Sequence, residues 1–296
     1  MPSISPDQQP PRIHPLFPGR HFISTVLDVV DSKETMSTRM VRIYLQRAAM
    51  AGFFVGFFFT AFFVIGTYFA TGGATGGTQV TALFGRAIAA LTFGWALVLI
   101  YYTNSELLTS NMMVLSIGCY HRRISVSHAA RLLAYCLVGN LLGALVIAVL
   151  LRCSTVIDAG TLAAMSDAAA RKLAYVTSGP AGIADLIVRA ALCNFCINIA
   201  MLMVYNGKIT DDFTKCLIMI VAVFVFAMCG FEHSIANLAL FIITALHGGI
   251  DAGLAVASIA VTLVGNLLGG GVLIGLNFAT MNNEGHRPES SCSLRQ

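Results

Sequence analysis

The sequence predicts an all-α integral membrane protein of six transmembrane helices, arranged as two inverted repeats of three. Three observations carry that prediction. The chain is 57% hydrophobic against 11% charged, with a mean hydropathy of +0.79, whereas soluble domains carry about a quarter charged residues. The apolar residues come in six long runs. One hexapeptide recurs letter for letter at an offset of 126 residues (138 to 264).

Residues 1–21 read as a flexible, Pro-rich polar tail without the apolar core of a cleavable signal, so the first span has to direct insertion itself. Residues 22–45 mix apolar and charged positions at helical spacing and predict an amphipathic helix lying on the membrane surface. A transmembrane domain over 46–280 follows, its runs near 47–70, 86–117, 130–151, 183–205, 214–246 and 252–278. Each is long enough for the roughly 20 residues a helix needs to cross hydrocarbon. Residues 281–296 form a second tail. Six spans put both termini on one side. That side carries Arg39, Arg42, Arg47, Arg122, Arg123, Arg131, Lys208, Lys215 and Arg287 against Arg86, Arg152, Arg171, Lys172 and Arg189 opposite. The excess predicts a multi-pass plasma-membrane protein with cytoplasmic termini.

The recurrence organises the spans. Val138-Gly139-Asn140-Leu141-Leu142-Gly143 returns as Val264-Gly265-Asn266-Leu267-Leu268-Gly269, and at the same offset Glu106 meets Glu232 and Asn111 meets Asn237. Arg47-Ala48-Ala49-Met50 pairs with Arg189-Ala190-Ala191-Leu192 at a longer offset. The repeats cover about 46–152 and 183–280. Three spans is an odd number, so the second repeat has to lie inverted in the membrane.

Spans two and five run to about thirty residues, beyond the roughly twenty a straight span needs. Polar stretches break them at 103–111 (TNSELLTSN) and 230–237 (GFEHSIAN). A charge at bilayer depth costs on the order of 3 kcal/mol, so Glu106 and Glu232 require partners or water. Irregular backbone survives there only where protein buries it or a cavity wets it. Both spans therefore predict discontinuous helices whose ends meet at a solute pathway. His233 is the histidine that falls deep in an apolar run, a group able to exchange a proton near neutral pH.

Other classes find little support. The basic residues are scattered, which argues against nucleic-acid binding. Of the eight cysteines, most lie inside apolar stretches and read as small buried hydrophobes. The glycine pairs 52/56, 139/143, 265/269 and 271/275 read as close helix packing. No phosphate loop, catalytic carboxylate pair or nucleophile elbow appears, so neither enzymatic activity nor a cofactor is expected. A neutral-solute pore of the water or glycerol kind, and a membrane scaffold, remain as rivals.

The chain resembles the formate/nitrite transporter family from about residue 39 to residue 278. The resemblance rests on Gly230-Phe231-Glu232-His233-Ser234-Ile235-Ala236-Asn237, on 105–111, on Ala191-Leu192-Cys193-Asn194, and on Gly265-Asn266-Leu267-Leu268-Gly269-Gly270-Gly271. It implies an aquaporin-like protomer in the lipid bilayer, assembled as a homopentamer with one pore per protomer for small monovalent anions. Formate or nitrite would be the solute, with hydrosulfide, acetate or lactate as alternatives. It further implies that Thr109 faces His233 while Glu232, Asn194 and Asn266 support them. Phe93, Leu108 and Ile197 would form the outer constriction and Leu97, Leu107 and Phe226 the inner one. Lys172 best matches the family's lysine at the outer mouth. Two departures stand out: Leu108 where the family usually has Phe, and Phe195 where Trp is common.

Overall fold

The computed structural model describes residues 19–71 and 78–282. The tails predicted at 1–21 and 281–296, and Arg287 in the charge count, therefore fall largely outside the described residues. Eleven α-helices are described: α1 (Arg20–Arg39), α2 (Val41–Thr71), α3 (Gln79–Tyr102), α4 (Leu108–Tyr120), α5 (Val126–Arg152), α6 (Ala159–Thr177), α7 (Gly179–Tyr205), α8 (Asp212–Cys229), α9 (Ser234–His247), α10 (Ala252–Asn266) and α11 (Asn277–Met281). A π-helical stretch, Leu267–Leu276, joins α10 to α11. Among the described residues, six stretches are long and apolar enough to cross a membrane: α2, α3, α5, α7, α8 and the composite Ala252–Met281.

Two boundaries differ from the sequence reading. The amphipathic helix starts at Arg20 and stops at Arg39, and residues 41–45 open α2 instead of closing the surface helix. Met40, with φ −135° and ψ 45°, breaks the helical path between them. The connector between the third and fourth apolar runs holds an unpredicted helix, α6, started by the Asp158 side chain accepting the Thr161 N–H at 2.7 Å. Its mean composition is too polar to read as a span, yet it packs its apolar side on α7 and α9.

The packing is paired. α2 lies against α3 and α5, and α7 against α8, α10 and the π stretch. α3 packs on α8. Each short helix crosses to the other half of the chain, α4 onto the π stretch and α9 onto α5, with α1 covering α4 and α6 covering α9. Glycine permits the closest approaches. A Cβ on Gly143 would lie 1.8 Å from the Ala49 carbonyl oxygen, and one on Gly269 2.0 Å from that of Ala191. The backbones touch because no side chain intervenes. The outer face of α5, with Val138, Leu141, Leu142 and Leu145 exposed, is an apolar surface suited to lipid or a neighbouring subunit.

Candidate functional site

Two breaks position the site. After α3 the chain turns through Asn104 (φ +52°) and runs extended to Leu107, the N-cap of α4. After α8 it turns through Gly230, whose left-handed φ of +68° suits a residue without a Cβ, and runs extended to His233, the N-cap of α9. Leu107 and His233 thus hold corresponding places, one apolar and one polar.

The same bonds secure both breaks. The Glu106 N–H donates to the Arg47 carbonyl at 3.1 Å, and that of Glu232 to the Arg189 carbonyl at 3.3 Å. Asn140 Nδ2 donates to the carbonyls of Ala48 and Glu106, both at 2.8 Å, while its Oδ1 accepts the Leu108 N–H at 3.1 Å. Asn266 Nδ2 donates to Ala190 at 2.8 Å and Glu232 at 3.0 Å, and its Oδ1 accepts the Ser234 N–H at 2.9 Å. The backbone groups freed where the helices stop are thereby satisfied away from water.

Each glutamate is buried, at 4% exposure, and paired. Glu106 Oε2 accepts from Lys33 Nζ and from Asn111 Nδ2. Glu232 Oε2 accepts from Lys172 Nζ at 2.6 Å and from Asn237 Nδ2 at 2.7 Å. Lys33 comes from α1 and Lys172 from α6, so the two covering helices each deliver one cation to one break. A buried carboxylate left without its cation would be strongly destabilising.

His233 and Thr109 meet between the breaks. His233 Nδ1 accepts the Ala236 N–H at 3.0 Å, which fixes it as an acceptor. In the neutral ring the hydrogen then sits on Nε2, which donates to Thr109 Oγ1 at 3.0 Å. The imidazole stacks on Phe226, with ring centres 6.1 Å apart and planes 13° apart. Behind Thr109, its carbonyl accepts from Asn194 Nδ2 at 3.1 Å and Asn198 Nδ2 at 3.2 Å. Asn194 also donates to the Asn266 carbonyl at 2.7 Å, so this one side chain links Thr109 of the first half to the Asn266 clamp of the second.

Two cavities approach this pair. One, of about 640 Å³, is lined by Lys172, Arg86, Arg171, Arg189, Glu232 and His233. The other, of about 720 Å³, is lined by Lys33, Arg47, Glu106, Leu97, Leu107 and Ser110. A void of about 20 Å³ lies between them, bounded by Phe93, Leu97, Leu107, Ile197, Phe226 and His233. That is room for about one water-sized group.

The sequence-identified residues divide accordingly. His233, Thr109, Glu232, Asn194 and Asn266 share one hydrogen-bonded cluster, and Lys172 reaches it. Phe93, Leu97, Leu107 and Ile197 line the neck. Phe226 lines the neck as well. It borders the Lys172 cavity and meets Phe93 edge-to-face at 5.8 Å, so these two aromatics close the Lys172 side while Leu97 and Leu107 close the Lys33 side. Leu108 lines none of the three cavities. It is one residue past the N-cap, and a helical step of about 100° turns it away from Leu107. Lys33 and Asn198 were missed. Lys33 looks in sequence like any charge on an amphipathic helix, and Asn198 like helix glue.

Membrane-length helices enclosing two cavities, each holding a lysine, that meet at an apolar neck define a membrane transport protein. The formate/nitrite transporter profile matches residues 23–280, and the chain belongs to that family. It is 30% identical over 209 residues to the nitrite transporter NirC of Salmonella typhimurium, covering 68% of this chain and 73% of NirC. Among solved structures it resembles an FNT family ion channel, at a TM-score of 0.71 and 24% identity over 88% of this chain and 98% of that one. It also resembles a pentameric formate channel with formate bound, at 0.64 and 18% over 81% and 97%. These two likenesses concern the fold.

Proposed function

We propose that this protein passes a small monovalent weak-acid anion, formate or nitrite, across the plasma membrane. The observation that carries the reading is the Thr109–His233 pair at an apolar neck between two cavities, each holding a lysine. The Lys172 cavity, where four cations face one carboxylate, draws the anion to its mouth, while the Lys33 cavity balances Lys33 and Arg47 against Asp28 and Glu106. The neck admits about one water-sized group, so the anion sheds its hydration there, and leaving water favours its protonated form. Thr109 is fully buried and lines none of the cavities; its oxygen accepts from His233 Nε2, so the imidazole, which lines the neck, is the member of the pair that meets the passing anion. A proton shared along this line would lower the cost of a bare charge in the neck.

The same reading treats the two halves as an inverted repeat in an aquaporin-like protomer, with the termini in the cytoplasm and the Lys172 cavity on the outer face. It also assembles the protein as a homopentamer with one pore per subunit. The exposed apolar face of α5 and the pentameric state of the related formate channel support that assembly. Uptake of labelled formate and nitrite by proteoliposomes is the direct test. The wild type is expected to carry both in a pH-dependent manner, and His233→Phe to lose the pH dependence. Wild-type flux no greater than that of empty vesicles refutes the proposal, and pH-independent passage of glycerol would mark a neutral-solute pore.

A further inference from the structure

We propose that Arg86 and Arg189 form an oxyanion seat over Gly230 in the Lys172 cavity, where a planar oxyanion, a carboxylate or nitrite, docks before entering the neck. The proposal rests on the anion-transport reading above.

The two guanidinium groups arrive from different helices, α3 and α7, at the end of α8. Arg86 Nη2 donates to the Met228 carbonyl at 3.0 Å and Arg189 Nη1 to the Gly230 carbonyl at 3.2 Å. Arg189 is held further by Nε donating to Asp185 Oδ1 at 2.9 Å and by the Tyr175 ring 5.5 Å below its guanidinium. Both side chains are therefore set in place without a ligand.

Between them lies a hollow. A Cβ built on Gly230 would meet two atoms within 4 Å, Arg189 Nη1 and Arg86 Nη2, each at 3.9 Å. The floor of the hollow is glycine backbone and its walls are guanidinium nitrogens, at most 7.8 Å apart (twice 3.9). One oxyanion can bridge such a gap with two charge-assisted bonds of about 2.8 Å. Each arginine has five N–H donors. The contacts above use one of Arg86's and two of Arg189's.

The charge balance points the same way. Arg86, Arg171, Lys172 and Arg189 line the cavity with Glu232 as the facing carboxylate, and Lys172 is already committed to that glutamate. Asp185 answers Arg189. Arg86 has no carboxylate partner among the described residues. A forked donor pair favours an anion with two coplanar oxygens over a spherical one, so hydrosulfide and chloride should gain little from the seat.

The test uses the purified full-length protein, read by thermal stabilisation with formate, nitrite or chloride and by formate uptake into proteoliposomes. Formate and nitrite are expected to raise the wild-type midpoint more than chloride at equal ionic strength. Arg86→Gln should abolish that difference and raise the half-saturating formate concentration about tenfold with little change in maximal flux. Arg86→Lys keeps the charge and a donor for Met228 but not the fork, and should recover only part of the difference. Wild-type behaviour in Arg86→Lys, or an unchanged formate-over-chloride difference in Arg86→Gln, overturns the seat. Selective stabilisation with no wild-type flux keeps the seat and overturns the transport reading instead.

Discussion

Asn140 and Asn266 make the same three hydrogen bonds, each clamping a glutamate carbonyl, the carbonyl of a neighbouring long helix and the first N–H of a short helix. Both are fully buried, so truncating either strands backbone groups where water cannot reach them. Each of Asn140→Ala and Asn266→Ala should lose about 3 kcal/mol, at roughly 1–3 kcal/mol per buried group left unpaired. Thermal unfolding in detergent measures this. A large loss in one with none in the other would deny that the two breaks are built alike.

The ion pairs predict a coupled response. Lys172→Met leaves Glu232 buried without its cation, a cost of about 3–5 kcal/mol, whereas removing both charges with Lys172→Met/Glu232→Gln costs less. The double variant should therefore be more stable than the single one. Lys33→Met and Lys33→Met/Glu106→Gln should repeat the pattern. Strictly additive losses in either cycle would mean that the lysine and glutamate do not depend on each other.

What the sequence disclosed depends on how local each signal is. The spans were legible because burial in lipid demands about twenty apolar residues in succession, and the 126-residue offset set Glu106 on Glu232 before any contact was known. Glu232, His233 and Asn237 share one short motif, so their proximity is dictated by backbone alone. Lys33 could not be found that way. It reaches Glu106 from a surface helix 73 residues earlier, and the offset that pairs the glutamates does not pair Lys33 with Lys172, because the linkers to the two covering helices differ in length. α6 stayed hidden for a related reason: its apolar side is one face of an alanine-rich helix interrupted by Asp167, Arg171 and Lys172. Sequence order along α8 likewise says nothing of which cavity the Phe226 ring faces; in the fold it lines the neck, borders the Lys172 cavity and meets Phe93 edge-to-face.

Glycine substitutions separate contact from conformational freedom. Gly143→Ala and Gly269→Ala would each drive a methyl to within 2.0 Å or less of a carbonyl oxygen on the packed helix, which cannot retreat without moving the backbone. Both should lower the unfolding midpoint sharply and equally. At Gly66, on α2, an added Cβ meets nothing within 4 Å. Gly66→Ala should be neutral or stabilising by about 0.5–1 kcal/mol, because alanine is the better helix former. A destabilised Gly66→Ala protein, or an unperturbed Gly143→Ala one, would contradict the helix packing described.

Cys229 offers a chemical probe of sidedness. It is an exposed free thiol at the end of α8 and lines the cavity that holds Lys172, Arg86 and Arg189. A sulfonate-bearing methanethiosulfonate should concentrate among those cations and, once attached, place a fixed negative charge in the path of an incoming anion. Formate uptake should fall severalfold when the reagent is applied on the Lys172 side. It should not fall when the reagent is applied on the Lys33 side, because the void between the cavities, about 20 Å³, is too small to pass the reagent. Cys229→Ser should be insensitive, which also separates this thiol from Cys153, the other exposed one among the described residues. Inhibition from both faces in wild-type vesicles of known orientation would mean that the neck is not the barrier described, and inhibition surviving in Cys229→Ser would place the reactive thiol outside this cavity.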